Sequence, residues 1–356
     1  MEKFAFFLLG FTMISALISG CGRRDDVTGT EPVPTSHFEV VGQYAVEGRP
    51  YDVEVTADRA YIASGQLGLQ ILDITDPTQP QPANLKRPAD HTIKFQSTAV
   101  AVAEMDTFDL VVINDGSEAF YTYPIPNRHS IRDTFQYFQP FTGSGVTIND
   151  FSMTRVSNDS VFMAFAYRSL GVRVGYLYRI DFFGTEQWLT SNQLESATRT
   201  QGYALGVDVA NNYVYVAGDH AGLELIDITD IDNRVYQHHI DTPGESEDVV
   251  VEGNYAYLAD GPMGLQVIDL TQNKIVGSIN TSGSARSLVV KENIVYLADG
   301  GSGLRAIDVS DPTEPTIIAS FEYQSSGFVS GVTIGENNLI YITDWYYGLI
   351  ILRWAE

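Results

Sequence analysis

The sequence predicts an all-β fold, a single β-propeller of seven four-stranded blades whose ring is closed by the N-terminal strand. Two observations lead to this prediction. A nine-residue phrase recurs along the chain, starting at Tyr61, Tyr215, Tyr257, Tyr296 and Tyr341. Most segments between the copies are short apolar or alternating runs, which are typical of strands. A strand-built repeat of about 40 residues is the pattern of a propeller.

Each copy divides into four short strands, named a to d from the centre of the ring outwards. In the third copy, residues 248–252, 255–260, 265–270 and 275–279 are predicted as strands a, b, c and d. Turns of the types Glu-Gly-Asn and Asp-Gly separate these runs, and such turns favour hairpins. The copy therefore has the content of one propeller blade.

A Gly-Leu pair starts seven residues after the tyrosine in every copy. In the first four copies an aspartate stands five residues after that glycine, namely Asp73, Asp227, Asp269 and Asp308. The resulting pattern, Gly-Leu-x-x-x-Asp-[Ile/Val]-[Ser/Thr]-Asp-Pro, resembles the LVIVD repeat of bacterial secreted and surface proteins. The resemblance covers the chain from about Val41 to Trp354.

The pattern weakens at about residues 85–200, where we expect two degenerate blades, 2 and 3. Residues 111–116 and 120–123 are predicted as strands b and c of blade 2. Residues 161–167 and 176–181 are predicted to belong to blade 3. With the five clear copies, these two make seven blades.

The ring is predicted to close through the N-terminus. The last copy stops after its strand c, at Trp354, and so lacks a strand d. Residues 37–44 resemble the strand d of other copies, such as residues 316–323. We therefore expect the first strand to complete the last blade, which removes the open sheet edges that invite aggregation.

The first residues are predicted to be a targeting segment. Lys3 precedes the apolar run of residues 4–17, which is too short to span a bilayer and has the form of a signal peptide. The segment ends Ile-Ser-Gly-Cys, which resembles a bacterial lipobox, and Cys21 is the single cysteine of the chain. We expect residues 1–20 to be a lipoprotein signal peptide, 21–36 a lipidated cysteine with a flexible tether, and 37–356 the propeller.

The predicted location is the bacterial cell envelope. Gly22, the residue after the cysteine, is not aspartate, and by resemblance to Gram-negative lipoprotein sorting this favours the outer membrane. Whether the protein faces the periplasm or the cell surface is left open. The expected membrane contact is the lipid on Cys21.

The charge excludes some classes of partner. Acidic residues number 45 against 21 basic ones, giving a formal net charge of −24. Nucleic acids and anionic membrane surfaces require basic patches, so we expect neither as a partner of the propeller.

A binding site is predicted on the face that carries the d–a and b–c loops. The d–a loops share a glycine at positions 48, 202, 244, 283 and 327, which indicates a backbone requirement. The residues that follow these glycines differ from copy to copy. Repeated scaffold positions beside divergent loop residues are typical of a binding surface, although loops under little constraint also diverge.

The candidate ligand-contacting residues come from these loops. Trp345 and Tyr347 are the strongest candidates, because three consecutive aromatic residues in an exposed turn are costly unless they contact something. The complete set is Arg49, Tyr51, Tyr203, His220, Glu245, Glu247, Arg286, Phe328, Trp345, Tyr346 and Tyr347.

Neither a metal nor a cofactor is expected. Four aspartates, Asp219, Asp260, Asp299 and Asp344, recur near the end of strand b, but each blade supplies one carboxylate where calcium needs several. We expect these four to cap turns, and Asp73 and its equivalents to bind nearby backbone amides. The His238-His239 pair lacks zinc-site spacing.

Three classes of function remain. The first is a lipid-anchored, non-enzymatic binding module for a protein or a glycan, and we favour it because no catalytic constellation is visible in the sequence. The second is an envelope saccharide hydrolase or lyase that uses acidic residues at the channel mouth. The third is a structural subunit of an envelope assembly.

Overall fold

The strands form seven four-stranded antiparallel blades in a ring, which confirms the predicted all-β propeller. The structure, a computed structural model, describes residues 36–83, 96–114, 116, 119–126, 136–138, 147–182, 185–322 and 326–355. The predicted signal peptide, Cys21 and the tether up to residue 35 lie outside the described residues. In the described part of the chain, no helix is long and apolar enough to cross a membrane.

The chain enters the ring through β1 (Ser36–Tyr44) and then builds the blades in order. Blade 1 contains β2 (Asp52–Val55), β3 (Arg59–Ala63), β4 (Leu69–Asp73) and β5 (Gln81–Pro82). Blade 2 contains β6 (Val100–Glu104), β7 (Phe108–Asn114), β8 (Phe120–Pro126) and β9 (Gln136–Phe138). Blade 3 contains β10 (Ile148–Ser157), β11 (Ser160–Tyr167), β12 (Gly171–Phe182) and β13 (Thr185–Thr190), followed by a 3₁₀ helix (Asn192–Glu195).

The second half of the ring is more regular. Blade 4 contains β14 (Gly206–Ala210), β15 (Tyr213–Ala217), β16 (Leu223–Asp227) and β17 (Val235–Ile240). Blade 5 contains β18 (Asp248–Glu252), β19 (Tyr255–Ala259), β20 (Leu265–Asp269) and β21 (Lys274–Ile279). Blade 6 contains β22 (Ser287–Lys291), β23 (Ile294–Ala298), β24 (Leu304–Asp308) and β25 (Thr316–Phe321). Blade 7 contains β26 (Val329–Ile334), β27 (Ile340–Asp344) and β28 (Gly348–Ala355), with β1 as its fourth strand.

The predicted closure of the ring is confirmed. Strand β1 pairs antiparallel with β28, from His37 opposite Ala355 to Tyr44 opposite Leu349. Its first residues also pair in parallel with β25 of blade 6, which joins the two blades into one eight-stranded sheet. The first and last strands of the ring are therefore held together by a ladder of backbone hydrogen bonds.

The hydrophobic core is divided among the blade interfaces. The described residues form seven apolar clusters of buried side chains, one between each pair of neighbouring blades. The tyrosine that starts each copy of the repeat lies in strand b, is buried, and belongs to one of these clusters. The repeated tyrosine is therefore a core residue that packs blade against blade.

The glycine of the Gly-Leu pair is required by the backbone. Gly264 has a φ of +72°, and a Cβ atom there would lie 2.4 Å from the carbonyl oxygen of Ile279. A side chain at this position would have to adopt a left-handed conformation and also displace strand d. The glycine thus fixes the entry into strand c in a conformation that other residues rarely adopt.

Candidate functional site

The innermost strands enclose a channel that opens at the face carrying the d–a and b–c loops, which we call the loop face. A cavity of about 590 Å³ lies in this channel. All seven blades contribute residues to its wall, chiefly from the seven strands a. Of the lining residues outside the strands, five have aromatic or charged side chains, and we call them the channel mouth: Tyr51, Arg168, Glu247, Arg286 and Trp345.

Buried carboxylates hold the d–a loops of blades 5 to 7 in place. Asp260 accepts hydrogen bonds from the Gly244 amide at 2.9 Å and from the hydroxyls of Thr242 and Ser246. Asp299 accepts equivalent bonds from the Gly283 amide and Thr281. Charged acceptors make strong hydrogen bonds with backbone amides, so these aspartates fix the loops that carry the variable residues.

Two other blades obtain the same anchor from a different position. Blades 1 and 4 have Ser64 and Gly218 where blades 5 to 7 have the aspartate, and the residue after the Gly-Leu pair replaces it. Glu224 accepts hydrogen bonds from the amides of Gln201 and Gly202, and Gln70 accepts one from the Glu47 amide. The anchor is therefore kept in these blades although its position in the sequence moves.

The turn-capping role expected for the four strand-b aspartates holds for Asp344, whereas Asp260 and Asp299 bind the neighbouring d–a loop and Asp219 does not occupy the equivalent position. Asp344 accepts hydrogen bonds from the amides of Phe328, Tyr346 and Tyr347, and thus ties the b–c loop to the d–a loop. Asp219 lies one position later in its turn, with a φ of +54°, where other copies have Gly261 or Gly300. The turn there needs a left-handed residue, and aspartate is one of the few that tolerate it.

The prediction for the aspartates at the end of strand c is confirmed. Asp73 accepts a hydrogen bond from the amide of Thr75, two residues ahead, at 2.9 Å. The same bond recurs in three further blades, from Asp227 to Thr229, from Asp269 to Thr271 and from Asp308 to Ser310. These carboxylates stabilise the turn into strand d and lie away from the channel mouth.

An aromatic cluster forms one side of the channel mouth. The rings of Phe328 and Trp345 are stacked, with centres 4.0 Å apart and planes inclined by 19°. The guanidinium carbon of Arg49 lies 4.5 Å from the centre of the same indole. Two groups this close to one ring centre do not fit on one face, so the indole is held between them. Tyr51 contacts Trp345 edge to face, with ring centres 5.9 Å apart.

This geometry corrects the expectation that all three aromatic residues of the blade 7 turn are exposed. Only Tyr346 is exposed, with 69% of its surface accessible. Trp345 is partly buried between Phe328 and Arg49, and Tyr347 packs against the apolar cluster between blades 6 and 7. The turn directs its three side chains to different environments because Asp344 binds the amides of both tyrosines.

Charged side chains form the other sides of the channel mouth. The guanidinium of Arg168 lies over the ring of Tyr203, 5.2 Å from its centre. Arg286 donates a hydrogen bond to Glu247 at 2.8 Å. Burial raises the pKa of Glu247, and the nearby Arg286 opposes that rise. The mouth therefore combines aromatic rings with charges of both signs.

The structure brings together seven of the predicted contact residues. Tyr51, Glu247, Arg286 and Trp345 line the cavity. Arg49 and Phe328 contact Trp345, and Tyr203 contacts Arg168. The other predicted loop residues lie outside the cavity wall: His220, Glu245, Tyr346 and Tyr347.

Five acidic residues deeper in the channel, on its wall, were not predicted from the sequence as site residues. They are Asp52, Glu54, Asp150, Asp208 and Asp248, all on strands a. Asp52 accepts hydrogen bonds from the amides of Val53 and Val100, at 2.8 and 2.9 Å. Asp150, Asp208 and Asp248 bind an amide of the following blade in the same way. The sequence did contain a sign of them. Buried strands usually carry apolar residues, and these positions of strand a carry acidic ones.

The channel keeps these carboxyl groups protonated to unusually high pH. Burial raises the pKa of Asp52 to about 6 and that of Asp248 to about 7. Burial, with repulsion from the neighbouring Asp52, raises the pKa of Glu54 to about 8. At neutral pH the channel wall thus carries less negative charge than its composition suggests. Among the described residues, no group of three or more His, Cys, Asp or Glu side chains is placed to hold a metal ion.

Comparisons with known proteins agree with the repeat pattern. A family model described as the LVIVD repeat matches residues 47–83, 201–233, 243–274 and 282–322. These segments correspond to blades 1, 4, 5 and 6. The copy that starts at Tyr341 is not among the four matches. Its blade takes strand d from the other end of the chain, so the repeat there is not continuous in sequence.

The fold also resembles a solved structure. The crystal structure of the computationally designed Ika8 protein (crystal packing No.1 in P63) superposes with a TM-score of 0.56 at 12% identity, covering 88% of this chain and 98% of the other. At this identity the likeness concerns the fold alone. No curated protein matches the chain. The chain therefore carries four segments that match the LVIVD repeat, and it folds as a seven-bladed β-propeller.

Proposed function

We propose that the propeller is a non-enzymatic binding module that takes a protein or a glycan at its channel mouth. The observation that carries this proposal is the contrast between the fixed loop backbone and its variable side chains. Buried carboxylates hold the d–a loops in one conformation, while the residues these loops present include tyrosine, phenylalanine, arginine and glutamate. A rigid backbone lowers the entropy lost on binding, and aromatic residues and arginine contribute most of the energy in typical interfaces.

We further propose that the protein is anchored in the cell envelope, in the outer membrane, by a lipid on Cys21. The position of β1 supports a particular orientation of the anchored protein. Ser36, the first residue of β1, lies at the end of the strand remote from the loop face, and Tyr44 lies at the near end. A nine-residue strand spans roughly 30 Å. A tether attached before Ser36 would thus join the propeller on the side opposite the loop face and leave that face accessible.

The enzymatic alternative would use the carboxyl groups of the channel, which have the raised pKa values expected of a general acid. Four of the five accept hydrogen bonds from backbone amides of neighbouring blades, which gives them a role in the fold. Glu54 differs, since its side chain accepts a long hydrogen bond from the hydroxyl of Thr333, at 3.4 Å. Glu54 is therefore the residue with which to test catalysis.

The test of binding is an array experiment with the purified protein. Arrays of defined glycans and of peptides would be probed with the wild type and with a Tyr203→Ala, Tyr346→Ala double variant. Both tyrosines are exposed on the loop face, so the variant should fold. Tyr178→Ala is the matched control, because Tyr178 is 37% exposed but lies in a strand of blade 3. Specific capture by the wild type and the control, with loss in the double variant, is the expected result.

Other outcomes of the same experiment would contradict the proposal. Equal capture by all three proteins would show that the binding site lies elsewhere than on the loop face. Release of reducing sugar or of an unsaturated product from an arrayed glycan, abolished by Glu54→Gln, would favour the enzymatic alternative. For the anchor, we expect Cys21→Ser to move the protein from the membrane fraction to the soluble fraction. Retention in the membrane fraction would exclude the lipid as its anchor.

A further inference from the structure

Two arginines, one at the channel mouth and one beside it, are held against aromatic rings. Arg49 follows the d–a loop glycine of blade 1, and Arg168 follows strand b of blade 3. Both side chains are exposed. Each guanidinium lies against an aromatic ring of the next or previous blade, Trp345 for Arg49 and Tyr203 for Arg168. The rings therefore fix the positions of two cations on different sides of the mouth.

Neither guanidinium forms a close ion pair with a described residue, although Arg168 lies near enough to Glu247 to oppose the rise in the pKa of that carboxyl. In the described part of the chain, Arg49 and Arg168 make a ring contact but no ion pair within 4.0 Å, whereas Arg286, Arg305 and Arg353 are each paired with a glutamate. A guanidinium that stacks on a ring keeps its N–H edge available, and that edge matches the two oxygens of a carboxylate. The two residues are thus prepared for a ligand with carboxylate groups.

The loop face that carries them also exposes apolar side chains. Eight large hydrophobic residues of the described chain are exposed, and four of them lie on loops of the loop face: Leu67, Tyr203, Met263 and Tyr346. Exposed tyrosine, methionine and arginine together are the composition of a protein interface. Aliphatic side chains such as those of Leu67 and Met263 give a polar glycan little to bind.

The overall charge distinguishes between carboxylate-bearing ligands. The chain has a formal net charge of −24. A polyuronate, with one charge on each sugar, would be repelled along its whole length. A polypeptide with one or two carboxylates between apolar side chains would satisfy the arginines without that repulsion.

We propose that the channel mouth binds a polypeptide segment that presents Asp or Glu side chains flanked by apolar ones, with the carboxylates on Arg49 and Arg168. This inference rests on the proposed binding function and names its class of ligand. The carboxylates meet the free guanidinium edges, and the apolar side chains cover Leu67, Met263 and the exposed tyrosines. The ligand lies across the mouth and does not enter the acidic channel.

The test is selection from a random dodecapeptide library displayed on phage, with the purified protein as the target. We expect the enriched peptides to contain Asp or Glu next to Leu, Ile, Phe or Trp. The strongest peptide would then be synthesised, and its Kd measured for the wild type and for Arg49→Gln and Arg168→Gln. Each substitution is expected to weaken binding on the order of tenfold, because it removes a charge-assisted hydrogen bond.

Two controls separate a local effect from a general one. Arg353→Gln removes an exposed arginine of β28 that is paired with Glu39 and lies outside the channel mouth, and it should leave the Kd unchanged. Replacing the peptide's Asp and Glu by Asn and Gln should weaken binding to the wild type as much as the arginine substitutions do. Thermal unfolding of each variant would establish that the fold is intact.

The remaining outcomes overturn the inference in distinguishable ways. Enrichment of Lys or Arg peptides would show that the channel carboxylates govern binding, and the binding function would stand. Failure of the library together with mouth-dependent capture of a glycan would also leave that function standing while excluding a polypeptide ligand. If neither the phage library nor the arrays yielded a ligand, both the polypeptide ligand and the proposed binding function would be contradicted.

Discussion

Asp208 binds the backbone of two blades at once. Its Oδ1 accepts a hydrogen bond from the amide of Val209 in its own strand, at 2.7 Å, and its Oδ2 accepts one from the amide of Val251 in the next blade, at 2.8 Å. Asp52 and Asp248 make the same pair of bonds at other blade junctions. The strands around the channel are therefore joined by side chains where no β-ladder connects neighbouring blades.

We expect Asp208→Ala to lower the free energy of unfolding by roughly 1–3 kcal/mol, because it leaves the amides of Val209 and Val251 without their acceptor. Chemical denaturation measures this change. Asp241→Ala is the control, since the Asp241 side chain is exposed and should contribute less than about 1 kcal/mol. Equal effects of the two substitutions would show that the channel bonds do not stabilise the ring.

The raised pKa values of the channel carboxyls predict that stability falls as pH rises. Asp52, Asp248 and Glu54 have folded-state pKa values of about 6, 7 and 8, above their usual values of 3.8, 3.8 and 4.5. Between about pH 4 and pH 8 the folded protein therefore binds more protons than the unfolded chain. The contribution of these three groups to the free energy of unfolding is fully present below their unfolded-state pKa values. It is lost as the pH rises through their folded-state pKa values.

Thermal unfolding between about pH 5 and pH 9 tests this dependence, with a Tm that should decrease steadily over the range. Glu54→Gln should make Tm depend less on pH at the alkaline end of the range, since it removes the carboxyl group with the highest of the three folded-state pKa values. A Tm that rises towards pH 9 in the wild type would mean that the channel carboxyls are ionised in the folded protein.

A buried ion pair in blade 6 gives a second pH-dependent prediction. Arg305 is 2% exposed, lies 3.5 Å from Asp299 and also pairs with Glu322. Burial raises the pKa of Asp299 to about 6, and Arg305 opposes that rise. Removing the arginine leaves a buried carboxylate without a cation, which typically costs roughly 3–5 kcal/mol.

Arg305→Met should therefore destabilise the protein strongly at about pH 8 and clearly less at about pH 5, where Asp299 takes up a proton. The measurement is the free energy of unfolding at both values. Arg353→Met serves as the control, because its ion pair with Glu39 is exposed and should have a small effect at either pH. A cost that does not change with pH would place the role of Arg305 in packing alone.

The close approach of a d–a loop to strand b predicts the effect of a single methyl group. A Cβ atom on Gly244 would lie 2.1 Å from the carbonyl oxygen of Asp260, whereas one on Gly301 would have nothing closer than 4.0 Å. Gly244→Ala should cost roughly 1–3 kcal/mol, as overpacking usually does, and Gly301→Ala should be nearly neutral. Similar denaturation midpoints for the two variants would contradict the fixed loop backbone on which the binding proposal depends.

The sequence predicted the architecture well because each blade repeats the same local requirements. The buried tyrosine of strand b, the left-handed glycine before strand c and the aspartate after it each serve one blade, so one copy explains the others. The predicted strands of residues 248–279 agree with β18 to β21 within one residue at each end. Closure by β1 followed from the missing strand of the last copy.

The site was predicted less completely because it is assembled from different blades. The sequence indicated Trp345 as an exposed aromatic residue, but its burial depends on Arg49 and Phe328, which lie about 300 and 17 positions away. Asp219 was misplaced because Glu224 takes the loop-anchoring role in blade 4. The channel carboxylates were missed because their amide partners belong to the next blade.

Hydrogen–deuterium exchange would show whether a ligand binds at the channel mouth. The protein would be compared with and without the ligand recovered from the arrays or the library. We predict slower exchange in the loop-face segments 46–51, 202–206, 244–248 and 345–347 and unchanged exchange in the outer strands. Protection confined to outer strands such as β1, β17 and β25, with the loop-face segments unaffected, would contradict the account.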